Sequence, residues 1–299
     1  MIKDAGDDPD CTHGAELVAT VEVHEAPDGV EIDGGSGVAK VTREGLGLEV
    51  GTAAINPVPR KNIAEMVRQE LHGSEYRGAK VVISVPGGEE MARKTTNMRL
   101  GLIGGISILG TSGIVTPYSS SAYRASIVQQ IGVARAGGID QIVLTTGGRT
   151  ERFAMQLYPD LDEAAFVQAG DFIGAALAAS RKQKMRTAII VGMIGKLSKM
   201  ADGRTQTHQA GSTVNMEMLS RLAGELGADQ SLQQEILAAN TARHVLEICE
   251  KNNLHGICDF ICRHVVDVMT AHVQGTLEVI CHLMDFDGNE LGRFPRTAH

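Results

Sequence analysis

No stretch of this 299-residue chain reaches the roughly 18 continuous apolar residues that a membrane-spanning helix needs. A transmembrane role is therefore not expected. The first ten residues, MIKDAGDDPD, lack an apolar h-region and are acidic, which argues against a secretory signal. Basic residues are outnumbered: 28 Lys and Arg stand against 36 Asp and Glu, a net charge of -8. General nucleic-acid affinity needs a basic face that displaces counterions, so no nucleic-acid partner is expected. A local basic pocket for a small anion stays compatible with an acidic protein. Cysteine is scarce, with five residues in mostly helical surroundings, and an odd number makes no disulfide framework. A reducing cytoplasm suits such a chain. No segment recurs with a period of 20–50 residues, which excludes a solenoid, and no low-complexity linker divides the chain.

Aromatic residues are few (four Tyr, six Phe, no Trp), while glycine is abundant. The 35 glycines make up about 12% of the chain, against about 7% in typical proteins. They cluster beside apolar runs, where backbone must turn sharply or come close to a ligand. Hydrophobic residues at 43% can build a real core, and the length suits about two domains.

The first part of the chain mixes strands and a helix. Residues 16–23 alternate, with Leu17, Ala19, Val21 and Val23 on one face, and predict a half-buried strand. Pro59 opens a predicted helix to about Leu71. Residues 80–85, KVVISV, read as a β-branched strand stopped by Pro86-Gly87-Gly88. This is an α+β domain over 1–112. From residue 113 strands alternate with helices. GIVT (113–116), residues 141–146 and residues 187–194 read as strands. Helical stretches are predicted to about Ala136 from the Ser119–Ser121 caps, and over 150–182, 212–226, 231–252 and 257–273. Such alternation implies a mainly parallel sheet in a Rossmann-like α/β domain over 113–275. Residues 276–299 form a closing β-hairpin with Asp287-Gly288 at its turn. Its return to the first domain is left open.

Five segments carry candidate chemistry. In KDAGDDPDCTHG (3–14), four aspartates crowd with His13, and like charges this close need a cation or hydrogen bonds to stay ionised. An Asx-rich turn explains the composition as well. The functional reading makes Asp7, Asp8 and His13 candidate bases. A Mg²⁺ site also suits hard oxygen donors. Residues 84–119 are glycine-dense, with Gly87, Gly88, Gly104 and Gly105 able to expose backbone amides to anions. Arg93, Lys94 and Arg99 add cations there, while Glu89, Thr95 and Asn97 add hydrogen-bonding groups. Close strand packing is the competing use of those glycines. Thr145, Thr146, Gly147 and Gly148 end a buried strand and lead toward a helix, where open α/β sheets bind ligands. They do not spell G-x-G-x-x-G. In residues 191–208, Gly195-Lys196 follows a strand but misses the P-loop spacing. Lys196, Lys199 and Arg204 remain partners for an acidic ligand. The Cys and His residues over 244–282 lack zinc-ribbon spacing and read as core, so no resident metal is expected.

Taken together, KDAGDDPDCTHG (3–14), GGSGVAKVTREGL (34–46), AINPVPR (54–60), GGEEMARKTTNMRLGLIGGISILGTSGIVTPYS (87–119), LTTGG (144–148) and GKLSKMADGRTQTH (195–208) resemble the CbiD-type cobalt-precorrin-5B C(1)-methyltransferases. The resemblance implies transfer of a methyl group from S-adenosylmethionine to C-1 of cobalt-precorrin-5B in anaerobic cobalamin biosynthesis. Cobalt then enters only within the corrin substrate. It also implies an α+β domain beside a Rossmann-like one. Members of that family carry a further N-terminal segment rich in Thr, Gly, Cys and Ala, whereas here Met1 and Ile2 lead straight into Lys3-Asp4. Two other readings stay open: a truncated or inactive corrinoid-binding relative, and a phosphate- or nucleotide-binding α/β protein.

Overall fold

A computed structural model describes residues 1–208 and 213–295. It shows a mixed α/β protein whose chain forms two compact units, dividing between Ala122 and Tyr123. The first unit runs β1 (Val18–His24), β2 (Gly29–Gly34), β3 (Gly37–Val38), β4 (Lys40–Val41), α1 (Pro57–Leu71), β5 (Gly78–Ser84), α2 (Gly88–Ala92), β6 (Leu102–Ile103) and β7 (Gly105–Ile106). Strand β5 is the centre of a three-stranded sheet, antiparallel to β1 and parallel to β2. Two short pairs, β3 with β7 and β4 with β6, extend the unit. Helix α1 starts at Pro57, two residues before the predicted start, because a proline at the first helical position sacrifices no hydrogen bond.

The alternation of β1 selected one face correctly, but that face is not buried. Ala19, Val21 and Val23 pair with Ile83, Val81 and Ala79, whose side chains are buried. Directly paired residues share a face. Yet Val21 and Val23 are 50% and 41% exposed. Helix α1 lies over β2 and β5, where Ile63 and Val67 join Ile32, Val81 and Ile83 in one apolar cluster. Strand β1 is the sheet edge beyond that helix.

Arg60 ties α1 to the sheet. Its guanidinium donates to the carbonyls of Ile55 at 3.0 Å, Ile32 at 2.7 Å and Ala53 at 3.2 Å. A planar fork serves three acceptors at once, which a single ammonium does not match. Charged hydrogen bonds each contribute roughly 1.5–3 kcal/mol, and water replaces part of that once the donor is gone. Arg60→Met is expected to lower unfolding stability by about 3 kcal/mol, with Arg60→Lys recovering less than half. Urea unfolding followed by circular dichroism measures both; a loss under about 0.5 kcal/mol for the Met variant refutes the clamp.

The second unit carries all but the first three residues of α3 (Ser120–Ala136), then β8 (Gln141–Thr145), α4 (Gly148–Leu157), β9 (Phe166–Gln168), α5 (Ile173–Lys182), β10 (Thr187–Gly192), α6 (Ile194–Ala201), α7 (Met216–Glu225), α8 (Gln230–Leu237), α9 (Ala242–Lys251), α10 (Ile257–His272), β11 (Glu278–Met284) and β12 (Glu290–Phe294). Ser119 Oγ accepts the Ala122 amide at 3.2 Å, the serine cap expected for α3. The sheet order is β12–β11–β10–β8–β9. Strands β11, β10, β8 and β9 are parallel, and β12 is antiparallel at the edge. One face buries Ile142, Leu144, Ala188 and Ile190 in a large cluster with α3, α5, α6 and α10. The other buries Val143, Ile189 and Val191 with Ala154 of α4. Strands clad on both faces read as continuous apolar runs, which is why β8 and β10 were legible.

Three expectations are corrected. GIVT forms no strand: Ile114 is 79% exposed and the segment has no pairing partner among the described residues. The helical region over 150–182 is two helices with a 3-10 turn (Glu163–Ala165) and β9 between them. Residues 231–252 are likewise two helices, broken around Ala239–Thr241, with Thr241 capping α9 through the His244 amide. The closing hairpin, whose packing the sequence left open, joins this sheet, β11 pairing with β10. Residue 212, where one helix was expected to begin, and residues 296–299 of the hairpin segment lie outside the described residues. Among the described residues no helix is long and apolar enough to cross a membrane.

Candidate functional site

In the first unit the acidic loop is held by its own lysine. Lys3 Nζ pairs with Asp10 and also donates to Thr12 Oγ1 at 2.5 Å. Asp10 Oδ1 accepts the Thr12 amide at 2.8 Å and hydroxyl at 2.7 Å. Partial burial pushes the Asp10 carboxyl up, but the Lys3 and Thr12 hydrogen bonds outweigh it and hold it below the ordinary carboxylate value. A depressed carboxyl stabilises the fold above its unfolded-state pKa, and that stability is lost as pH falls through the lower folded value. The melting-temperature gap between wild type and Asp10→Asn is therefore expected to be flat near pH 6 and to close below about pH 4. A gap that stays constant down to pH 2 contradicts this assignment.

The candidate bases occupy distinct positions. Asp8 Oδ1 accepts the Tyr118 amide at 2.9 Å, which joins the loop to residue 118. His13 Nδ1 accepts the Ala5 amide at 3.1 Å, so the ring proton resides on Nε2 in the neutral form. Asp7 is exposed. Asp4 closes an Asx turn onto the Gly6 amide at 2.9 Å. Cys11 Sγ lies 3.8 Å from the Met91 carbonyl, so the loop also touches α2. The structure thus brings the acidic loop against the segment over 87–119.

Within that segment several candidates have structural partners. Asn97 is buried and donates to the Gly105 carbonyl at 3.1 Å, and Thr95 Oγ1 donates to Ala92 and accepts from Asn97. Gly88 and Gly105 are close-packing positions: a Cβ on either would lie 2.1 Å from the Gly37 carbonyl oxygen. Gly87, Glu89, Arg93, Lys94 and Gly104 are exposed, with Arg93 paired to Glu90 at 3.3 Å. Arg99 is half-buried.

In the second unit the strand order sets a crevice. The chain enters at β8, moves outward to β9 and crosses back to β10, so the connections after β8 and β10 leave in opposite directions. Open α/β sheets bind ligands at this switch, beyond the carboxyl ends of the strands. The residues gathered there are Thr146, Gly147 and Gly148 after β8, Asp171 after β9, Lys196 in the first turn of α6, and Thr207. Lys196 Nζ donates to the Thr146 carbonyl at 2.9 Å and pairs with Asp171 Oδ1 at 2.9 Å. Thr207 Oγ1 donates to the same Asp171 oxygen at 2.6 Å. Lys199 Nζ reaches the Thr207 carbonyl at 3.4 Å, and Arg204 is exposed. Burial raises the Asp171 carboxyl, but the Thr207 and Lys196 hydrogen bonds overcome it and keep the group ionised below its ordinary range. Thr145 Oγ1, at the end of β8, is buried without a hydrogen-bond partner among the described residues.

Two family models match the chain: CbiD over residues 1–117, and the CbiD C-terminal domain over residues 206–295. A cobalt-precorrin-5B C(1)-methyltransferase of Leptospira interrogans is 56% identical over 293 residues, covering 98% of this chain and 80% of that protein. The chain belongs to the CbiD family. Relatives of the same name from Rubrobacter xylanophilus and Thermus thermophilus are 49% and 48% identical, covering 96% and 99% of this chain and 74% and 79% of their own lengths. A crystal structure of a cobalamin biosynthesis protein (cbiD) from Archaeoglobus fulgidus is 28% identical, covers 64% of this chain and 58% of that one, and has a TM-score of 0.29.

Sequence reasoning about this CbiD-family chain missed Asp171, Thr207 and Tyr123. Asp171 was absorbed into a supposed helix; the short apolar run AAFVQ followed by Ala-Gly-Asp was the available signal of a strand end. Tyr123 pins the loop that carries Asp171. Its hydroxyl donates to the Gln168 carbonyl at 2.9 Å, and its ring packs on Phe172 at 5.6 Å. Burial, then the charges of Asp171 and Glu151, push the Tyr123 hydroxyl above its ordinary value, so it stays a donor. The cysteines take core positions. Burial raises Cys249 to about 11 and Cys258 to about 12, and a hydrogen bond with Cys281 pushes Cys262 upward as well. A hollow of about 440 Å³ on α5 and the end of α10, lined by Ala178, Arg181, Lys182 and His272, contains none of the residues above.

Proposed function

We propose that this protein transfers a methyl group from S-adenosylmethionine to C-1 of cobalt-precorrin-5B, giving cobalt-precorrin-6A and S-adenosylhomocysteine, in anaerobic cobalamin biosynthesis. The observation that carries the reading is the 56% identity to a protein of that named activity over nearly the whole chain. The two alternatives, an inactive corrinoid binder and a nucleotide-binding α/β protein, have no comparable support. The reading includes an α+β domain and a Rossmann-like domain, and places the enzyme in the cytoplasm, where five unpaired cysteines are at home.

The donor supplies an electrophilic methyl on a sulfonium, and the protein's task is alignment for in-line displacement. The macrocycle carries peripheral carboxylates, for which Arg93, Lys94, Arg99, Lys199 and Arg204 are the proposed partners. Asp7, Asp8 and His13 are the proposed proton acceptors at the ring. Thr145, Thr146, Gly147, Gly148 and Lys196 belong to the proposed crevice of the second unit. Incubation with cobalt-precorrin-5B and S-adenosylmethionine is expected to give a product one methyl group heavier by mass spectrometry. Unchanged substrate mass, with the donor not consumed, overturns the proposal.

A further inference from the structure

The proposed activity leaves the seat of the methyl donor undecided, and one group in the second unit has the chemistry to decide it. Asp171 Oδ1 is fully engaged: it accepts Thr207 Oγ1 at 2.6 Å and pairs with Lys196 at 2.9 Å. Oδ2 lies 3.9 Å from His208 Nδ1, beyond hydrogen-bond distance. The Asp171 side chain is 26% exposed, so the carboxylate is reachable from solvent. The carboxylate is thus oriented by two donors on one oxygen and presents the other.

Its place in the sheet supplies the ligand class. Asp171 follows β9, the strand outside β8, and the Gly147-Gly148 turn follows β8 itself. A side chain on Gly147 would meet nothing within 4 Å, so that turn borders open space. Helix α4 begins there without a side-chain cap. In dinucleotide-binding sheets, which share the β8–α4–β9 succession though not this strand order, a carboxylate roughly 20 residues past the first glycine turn accepts a ribose hydroxyl. The turn and helix start suit an anionic end of the same ligand. The unpartnered Thr145 hydroxyl stands under this turn: Thr145 pairs with Val191 and shares the face on which α4 packs.

We propose that the crevice between β8 and β10 binds the nucleoside portion of the methyl donor, with Asp171 Oδ2 accepting from the vicinal ribose hydroxyls and Lys196 and Thr207 acting as positioning residues. The assignment rests on the methyltransferase reading for the identity of the nucleoside, but not for the diol chemistry. It also accounts for the position of Lys196: the ammonium holds the carboxylate rather than the corrin.

The test is a cycle on ligand and protein. Isothermal titration would compare S-adenosylhomocysteine with its 2′-deoxy analogue on wild type, Asp171→Asn and Thr207→Val. Wild type is expected to bind the analogue at least 30-fold more weakly than the parent. Asp171→Asn is expected to bind the parent at least 30-fold more weakly than wild type and to discriminate between the two ligands less than threefold. Thr207→Val keeps the carboxylate and should retain most of the discrimination. Should Asp171→Asn not fold, Asp171→Asn/Lys196→Met, which removes both charges of the pair, takes its place in the cycle. Equal discrimination by wild type and the Asp171 variant overturns the assignment even where wild type methylates its substrate. Absence of S-adenosylhomocysteine binding and of methylation in wild type would instead overturn the methyltransferase reading and this assignment together.

Discussion

Gly37→Ala is expected to leave the first unit without a stable fold. The glycine has φ 74°, where an L side chain is strained. A Cβ built there would lie 1.9 Å from the Val85 carbonyl oxygen and 3.0 Å from the Gly88 amide nitrogen. Neither is the end of a flexible side chain. Both belong to backbone that is already committed: Gly88 N donates to Val85 O, and Val85 N donates to Ser36 O. Overpacking costs roughly 1–3 kcal/mol, and a strained backbone conformation a similar amount. Their sum, about 4 kcal/mol, is a large part of an ordinary domain's stability. Expression with loss of the cooperative urea transition is the expected result, and the transition of the second unit should persist. The neighbouring Gly88→Ala and Gly105→Ala are expected to behave alike, since each would meet the Gly37 carbonyl at 2.1 Å. A soluble Gly37→Ala protein with an unchanged transition would disprove the packing account.

Lys196→Met is the second large effect, and it falls on activity. The ammonium joins the end of β8 to the loop after β9 through Thr146 and Asp171. Without it Asp171 keeps the Thr207 bond but loses its counter-charge, and the half-buried carboxylate swings or protonates. Truncating one partner of a hydrogen-bonded charge pair costs roughly 2–5 kcal/mol when desolvated. The pair here is about a third exposed, so the lower end applies. A loss of kcat/KM near 100-fold, about 2.7 kcal/mol, is expected. A structural role alone would lower kcat and shift the KM of both substrates without pattern. The positioning role predicts a raised KM for the donor with the KM for the corrin substrate unchanged. Arginine at 196 should restore part of the donor affinity, since it keeps the charge. An unchanged donor KM in Lys196→Met would remove Lys196 from the crevice's chemistry.

How much of this was legible beforehand follows from physical causes. The apolar runs of β8 and β10 announced buried parallel strands, and Pro86-Gly87-Gly88 marked the end of β5. Strand β9 was missed because three residues, Phe166–Gln168, are too few to show a period, and they follow a short turn of helix. The inward face of β1 was identified, yet its burial depended on where α1 lies, which no residue of β1 encodes. GIVT has strand-like residues but no strand to pair with among the described residues. The aspartate loop was ambiguous between turn and site. Its Asp10 belongs to the turn through Lys3 and Thr12, while Asp8 and His13 keep positions open to chemistry.

By itself the sequence determined the family, through motifs spread along most of the chain, and the presence of two strands built for the interior of a sheet. It also singled out Gly88 and Gly105 as glycines of a dense cluster, open between anion binding and close packing, and gave Gly37 no separate role. The tertiary structure decided the purpose: three glycines meet because β3, α2 and β7 are packed backbone to backbone. It decided as well that Asp171, Lys196 and Thr207 form one cluster. Residues 25 and 36 positions apart along the chain become neighbours only when β9 and β10 flank β8. Strand order is a property of the assembled sheet, set by which crossovers bury the most apolar surface, and local patterning carries no record of it.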